Sequence, residues 1–302
     1  MPDPDVHFGA RLAAAVERRS SQIVLGLDPD PAKLWPDSIP ATAAADARAS
    51  AGVAVATHCR ALIDAAGPAC VAIKPQLACF ERLGSPGWAA LEATVEHARA
   101  SGLLVLLDGK RGDVPVTAAA YGQALLTSTP SPLGDLPGLR GDAATLNPLL
   151  GRDALAPLVE AARSAAGGVF VLVRTSNAGA ADLMDLALAD GGALWERLAA
   201  IVRELGGEGE GISDVGAVTG ATAPEHLSRM RELMPRTPFL LPGVGAQGGD
   251  VAALGPAFAP GRAGGLVTAS RSIANAYADH GGTPADAARR EAERLRETAW
   301  SL

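Results

Sequence analysis

Asp108, Lys110 and Asp113 lie together in DGKRGD, directly after an unbroken apolar run from Leu103 to Leu107. A strand buried on both faces that ends in charges delivers them to the carboxyl edge of a sheet. Successive strand side chains alternate faces, so Leu104, Leu106, Asp108 and Lys110 share one side, and an acid and an ammonium project from it together. A second lysine, Lys74, closes another apolar run, CVAIK, in which Cys70, Ala72 and Lys74 are expected to share a face. Such a set can hold an anion, move a proton or stabilise developing negative charge. The same residue types also suit a helix cap or a surface ion pair at a strand end, so residue identity alone leaves both readings open.

Lysine is rare here: Lys33, Lys74 and Lys110 stand against 23 arginines. Arginine keeps its proton in a protein, whereas a lysine ammonium can give one up. Lysine at the ends of two apolar runs therefore points to proton transfer.

The elements that must position these residues follow in order. Phe8, Leu12, Ala15 and Val16 have helical spacing within Asp5 to Arg19. The first apolar run, IVLGLD, ends at Asp28 before a proline, and an Ala-rich helical segment follows from Ala41 to Ala66. After CVAIK come a helical segment from Trp88 to Ala100, the Leu103 strand and a helical segment from Val116 to Leu125. Residues 128–141 are rich in Pro and Gly and are expected to form a loop insertion. Further strands are predicted at AATLN (Ala143 to Asn147), GGVFVLVRTSN (Gly167 to Asn177), ISDVGAVTG (Ile212 to Gly220), PFLLPGVGAQGG (Pro238 to Gly249) and GGLVTASR (Gly264 to Arg271). Pro224 suits a first helical position, and Thr283 with Pro284 starts an Arg/Glu-rich amphipathic helix.

Eight strands alternating with helices over 302 residues predict an α/β fold, a single (β/α)8 TIM barrel covering residues 1–302, with an extra helix at each end. The active site of such a barrel lies at the carboxyl ends of its strands, so Asp28, Lys74, Asp108, Ser176, Gly243 and Arg271 are expected to ring one mouth.

Composition narrows the function classes. With a net charge of -7, no basic run and 4% aromatic residues, neither nucleic acid nor an anionic membrane is an expected partner, and any anionic ligand needs a local cluster of cations. No run of about 18 uncharged apolar residues suggests a membrane span. The acidic start, MPDPD, lacks the positive charge of a secretory signal, so none is expected. Cys59, Cys70 and Cys79 are odd in number and lack CxxC spacing, which fits buried thiols in a reducing, cytoplasmic setting better than a disulfide framework or a zinc site.

Gly243-Val-Gly-Ala-Gln-Gly248 satisfies GxGxxG, but it lies in the last quarter of the chain, and the acid expected about 20 residues later is missing. A phosphate loop after the seventh strand, joined by Arg271 after the eighth, suits it better, with a plain tight turn as the alternative. Ser176 fits a ligand contact or a helix cap equally well, and Arg174 fits the mouth or an ion pair with a nearby acid. The five histidines show no metal spacing, so no metal site is expected. The tripeptide Arg111-Gly112-Asp113 matches an adhesion motif by coincidence.

Taken together, LGLDPD, the IK of the second strand, DGKRGD followed by Thr117, RTSN, PGVGAQGG and the late SRS resemble the orotidine 5'-phosphate decarboxylase family, particularly its longer bacterial (type 2) subgroup. The resemblance implies decarboxylation of orotidine 5'-monophosphate without metal or organic cofactor, as a step of pyrimidine biosynthesis. It implies an alternating charge network of Lys74, Asp108, Lys110 and Asp113, with Asp28 on the ribose and Ser176 on the pyrimidine. Gln247 and Arg271 would hold the phosphate, with Pro242 and Gly245 in the same substrate-binding loop. It further implies a homodimer in which Asp113 and Thr117 reach into the partner's site. Ala178 departs from the family pattern, which has proline there and would read RTSNPG. The Ala/Pro/Gly-rich segment after Gly249 is expected to contribute to a closing lid. Two other readings are a metal-using sugar-phosphate barrel enzyme with the same DxKxxD, and a catalytically silent nucleotide-phosphate binder.

Overall fold

A computed structural model describes residues 6–41, 46–221, 224–244 and 249–302. The predicted strands form β1 (Ile23–Leu27), β2 (Ala72–Pro75), β3 (Leu104–Arg111), β4 (Ala143–Leu146), β5 (Gly168–Arg174), β6 (Val215–Thr219), β7 (Phe239–Leu241) and β8 (Gly265–Ala269). Each pairs in parallel with its neighbours in sequence, and β8 pairs with β1 to close the barrel. Among the described residues no helix is long and apolar enough to cross a membrane.

Strand alternation divides the core in two. Val24, Ala72, Leu106, Ala143, Phe170, Val218, Leu240 and Leu266 face inward and fill the barrel, while Ile23, Leu25, Ile73, Val105, Leu107 and Val171 pack outward under the helices. The N-terminal helix, Phe8–Arg19, closes the amino-terminal end of the barrel with Phe8, Leu12, Ala15 and Val16, the four residues its periodicity singles out. Its Phe8 ring meets Phe170 edge-on at 6.2 Å. The helix lies so close to the strand ends that a Cβ on Gly9 would overlap the Ile212 carbonyl, which makes glycine obligatory there. The C-terminal helix, Pro284–Trp300, is capped by Thr283 and buries Ala288, Ala292 and Leu295 beneath its charged face.

Several local expectations change. Cys70 does not share the face of Ala72 and Lys74. It precedes the strand, in the exit from a 3-10 turn at Gly67–Ala69, and packs with the outer layer while Val71 joins the barrel interior. The helix expected from Ala41 spans Ala47–Ala66, starting after its cap Asp46, and that expected from Trp88 begins at Ser85 after Gly84. The insertion at 128–141 contains a short antiparallel pair, Ser128–Thr129 with Leu136–Pro137. Pro224 opens a 3-10 turn, Pro224–His226, ahead of a helix at Leu227–Leu233. The segment expected to form a lid is instead a 3-10 helix, Val251–Phe258, with Val251, Leu254, Ala257 and Phe258 buried in the outer core. An apolar stripe of that size favours packing over free movement above the mouth.

Candidate active site

Asp108 is the centre of the site. It is 5% exposed and accepts from four donors. The Lys110 ammonium reaches Oδ1 at 2.7 Å and the Thr145 hydroxyl donates to the same oxygen at 2.8 Å. On Oδ2, the Lys74 ammonium stands at 2.6 Å and the Gln76 amide at 3.2 Å. An ionised carboxylate offers about four lone-pair positions, so this one is saturated.

The two lysines differ in setting. Lys74 is 6% exposed, whereas the Lys110 side chain is 42% exposed and faces the open mouth. Burial acts against charge on both Asp108 and Lys74. For Asp108 it is outweighed by attraction to Lys74 and Lys110 and by their hydrogen bonds, which hold the carboxyl well below its usual range. For Lys74 it is outweighed by Asp108, Asp28 and the bond to Asp108, which raise its pKa.

These residues line a cavity of about 380 Å³ at the carboxyl ends of the strands. All six positions expected at the mouth, Asp28, Lys74, Asp108, Ser176, Gly243 and Arg271, line it, and so do Lys110 and Pro242. Close packing of strand ends shapes the rim: a Cβ on Gly26 would stand 2.7 Å from Ser270 Cβ. Lys74, Lys110 and Arg271 supply three positive charges against the two carboxylates of Asp28 and Asp108. A chain of net charge -7 thus presents a locally positive pocket suited to an anion.

The other expected residues fall elsewhere. Asp113 is half-buried in the loop after β3, where its carboxylate accepts from the Val114 amide at 2.8 Å, and Thr117 is exposed near the start of helix Pro115–Leu125. Neither lines the cavity of its own chain. Gly245 and Gln247 lie outside the described residues. Arg174 does not line the cavity and makes a two-pronged ion pair with Asp185, both contacts at 2.9 Å.

Gln76, Thr145, Thr175, Asn177, Thr268 and Ser270 also line the cavity, and sequence reasoning passed over them. Thr145 and Thr268 were within reach of it. Each follows an inward-facing residue, Ala143 or Leu266, by two positions, so strand alternation turns it into the barrel.

A family model described as orotidine 5'-phosphate decarboxylase / HUMPS family matches residues 21–283. The chain belongs to this family. An orotidine 5'-phosphate decarboxylase of Deinococcus radiodurans is 45% identical over 241 residues, covering 78% of this chain and 81% of the relative. One from Rhodopirellula baltica is 40% identical over 276 residues, 89% of each chain. Among solved structures, Leishmania donovani OMP decarboxylase superposes with a TM-score of 0.70 at 30% identity, covering 95% of this chain and 98% of that one. Leishmania donovani UMP synthase gives a TM-score of 0.73 at 32% identity; it covers 97% of this chain, which spans 57% of that longer one. Family membership thus agrees with the resemblance carried by DGKRGD, RTSN and PGVGAQGG.

Proposed function

We propose that this chain catalyses the decarboxylation of orotidine 5'-monophosphate to uridine 5'-monophosphate and CO2, in pyrimidine biosynthesis. The observation that carries the reading is the Asp108 carboxylate held between the Lys74 and Lys110 ammonium groups inside a positive pocket at the barrel mouth. Loss of CO2 leaves an electron pair in the plane of the pyrimidine at C6, where ring resonance cannot absorb it. A fixed ammonium beside that carbon stabilises the pair and then protonates it, and Lys110, the more open of the two lysines, has that role.

Asp108 beside the substrate carboxylate is repulsive, by about 4 kcal/mol for like charges at about 4 Å in an effective dielectric near 20. In this chain two ammonium groups flank it, so the three groups together carry a positive charge. An ammonium fixed on each side of Asp108 places positive charge where the carbanion develops, and the repulsion from Asp108 disappears as CO2 departs. Lys74 and Asp113 hold the charge and geometry of the network. Asp28 takes the ribose, Ser176 the pyrimidine, and Arg271 with Pro242, Gly245 and Gln247 the phosphate. Phosphate held away from C6 supplies binding energy that orients and desolvates the reacting end.

The reaction is assigned to the protein alone, without metal or organic cofactor. The positive charge against Asp108 comes from the Lys74 and Lys110 ammonium groups themselves. The whole chain is assigned to one barrel domain working in the cytoplasm as a homodimer, with Asp113 and Thr117 completing the partner's site. Exposed Val114, Val116, Leu149 and Leu150, on the segments that follow neighbouring strands β3 and β4, support that face as the contact.

Ultraviolet absorbance tests the reaction. Orotidine 5'-monophosphate should turn over in the presence of EDTA, and Lys110→Ala should abolish turnover while the protein stays folded. No turnover by folded wild-type protein overturns the assignment; turnover lost to EDTA and restored by a divalent ion transfers it to metal-dependent chemistry.

A further inference from the structure

The ladder between β3 and β4 slips at the charged residues. Leu107 pairs with Ala144 and Arg111 with Leu146, so Asp108, Gly109 and Lys110 together oppose the single residue Thr145. A bulge of this kind interrupts ladder hydrogen bonds and re-aims side chains. The Lys110 amide donates to the Thr145 hydroxyl at 2.9 Å, in place of a strand carbonyl. That hydroxyl donates its own proton to Asp108 Oδ1 at 2.8 Å, the oxygen on which the Lys110 ammonium rests. The direction of both bonds is dictated by chemistry: an ionised carboxylate only accepts, a backbone amide only donates, and a hydroxyl does one of each.

Lys110 also has φ +48°. A non-glycine residue held in the left-handed region is strained and persists only where its surroundings enforce it. Thr145 is 2% exposed and its strand is paired on both sides, so it is a rigid anchor for that strained amide.

We infer that Thr145 is a positioning residue for decarboxylation: by holding the Lys110 amide and the Asp108 carboxylate through one hydroxyl, it sets where the Lys110 ammonium stands relative to the reacting carbon. This rests on the assignment of Lys110 as the proton donor in that reaction. Thr145 itself bonds both ends of the Lys110 environment and needs no contact with substrate.

The test compares kcat and KM for orotidine 5'-monophosphate, and the affinity for uridine 5'-monophosphate by calorimetry, in wild type, Thr145→Val, Thr145→Ala and Thr145→Ser. Valine keeps the shape and removes both bonds, alanine does so without crowding, and serine keeps the hydroxyl. Misplacement of a reacting group by about 1 Å costs on the order of 10²-fold, so kcat should fall by about that factor in Thr145→Val and Thr145→Ala. KM and product affinity should stay near wild type, and Thr145→Ser should recover most of kcat. Wild-type kcat in the folded valine or alanine variant overturns the inference, as does a loss confined to KM or a serine variant as poor as valine. A wild-type enzyme without turnover overturns the parent assignment as well, so the two failures are told apart by the control.

Discussion

The Lys74 ammonium lies 2.6 Å from Asp108 Oδ2, with each side chain 7% exposed. Removing one partner of a buried pair leaves the other charge desolvated, at a cost of about 3–5 kcal/mol. Asp108→Ala should therefore lower the denaturant midpoint strongly, because Lys74 stays buried without its main counter-charge. Lys110→Ala should change stability by less than about 1 kcal/mol, since its side chain is 42% exposed, while losing activity. Equal stability losses in the two variants, measured by urea unfolding, would contradict this division between a buried structural ion and an open reacting one.

Much of this site was legible because its signals are local. A strand-ending charge declares itself in a few residues, which is why Asp28, Lys74, Asp108 and Arg271 all arrive at the mouth. For Thr145, alternation gives only its inward direction and not its role. Threonine is an ordinary strand residue, and its importance arises from the register slip between β3 and β4, a relation between segments that a local pattern does not contain. Cys70 failed for a related reason: alternation holds only within a strand, and the turn at Gly67–Ala69 delays the start of β2 to Ala72. Local pattern picks out Asp113 with DGKRGD, but its place across the interface, and Thr117 altogether, rest on family resemblance, and a single chain leaves both outside its own cavity.

A cross-subunit role for Asp113 predicts complementation. Neither Lys110→Ala nor Asp113→Ala homodimers should turn over substrate at an appreciable rate. Hybrids refolded from a mixture of the two should regain activity, because one of the two sites in each hybrid then combines an intact Lys110 with an intact Asp113. Activity that fails to rise on mixing, in material shown to contain hybrids, removes the cross-subunit assignment.

His58 makes stability sensitive to acid. It is 4% exposed, its Nδ1 accepts the Trp35 amide at 3.2 Å, and burial pushes its pKa from 6.5 down to about 4. The unfolded chain therefore binds a proton between these values and the native one does not. The associated stability is complete above pH 6.5 and is lost as pH falls towards 4, by roughly 3 kcal/mol. Stability of His58→Gln, followed by urea unfolding over this interval, should fall less steeply than wild type. Parallel slopes would show that other groups set the acid limb.

Arg231 ties the outer layer together. From helix Leu227–Leu233 its guanidinium donates to the carbonyls of Met234 and Thr237 at 2.8 Å, and across to Ala257 at 2.7 Å and Gly264 at 3.0 Å. It also stacks on the Phe239 ring at 3.9 Å. Burial pushes its pKa down to about 10, which still leaves the group charged near neutral pH. Arg231→Leu keeps apolar volume but strands buried carbonyls, at about 1–3 kcal/mol for each that finds no water. A loss of several kcal/mol is therefore expected. Arg231→Lys should recover only part of it, because a compact ammonium cannot span both sides as the planar fork does. The denaturant midpoint should rank wild type above Arg231→Lys and Arg231→Leu lowest. If leucine matched wild type, the bonds to Ala257 and Gly264 would not be what secures the Val251–Phe258 segment against the barrel.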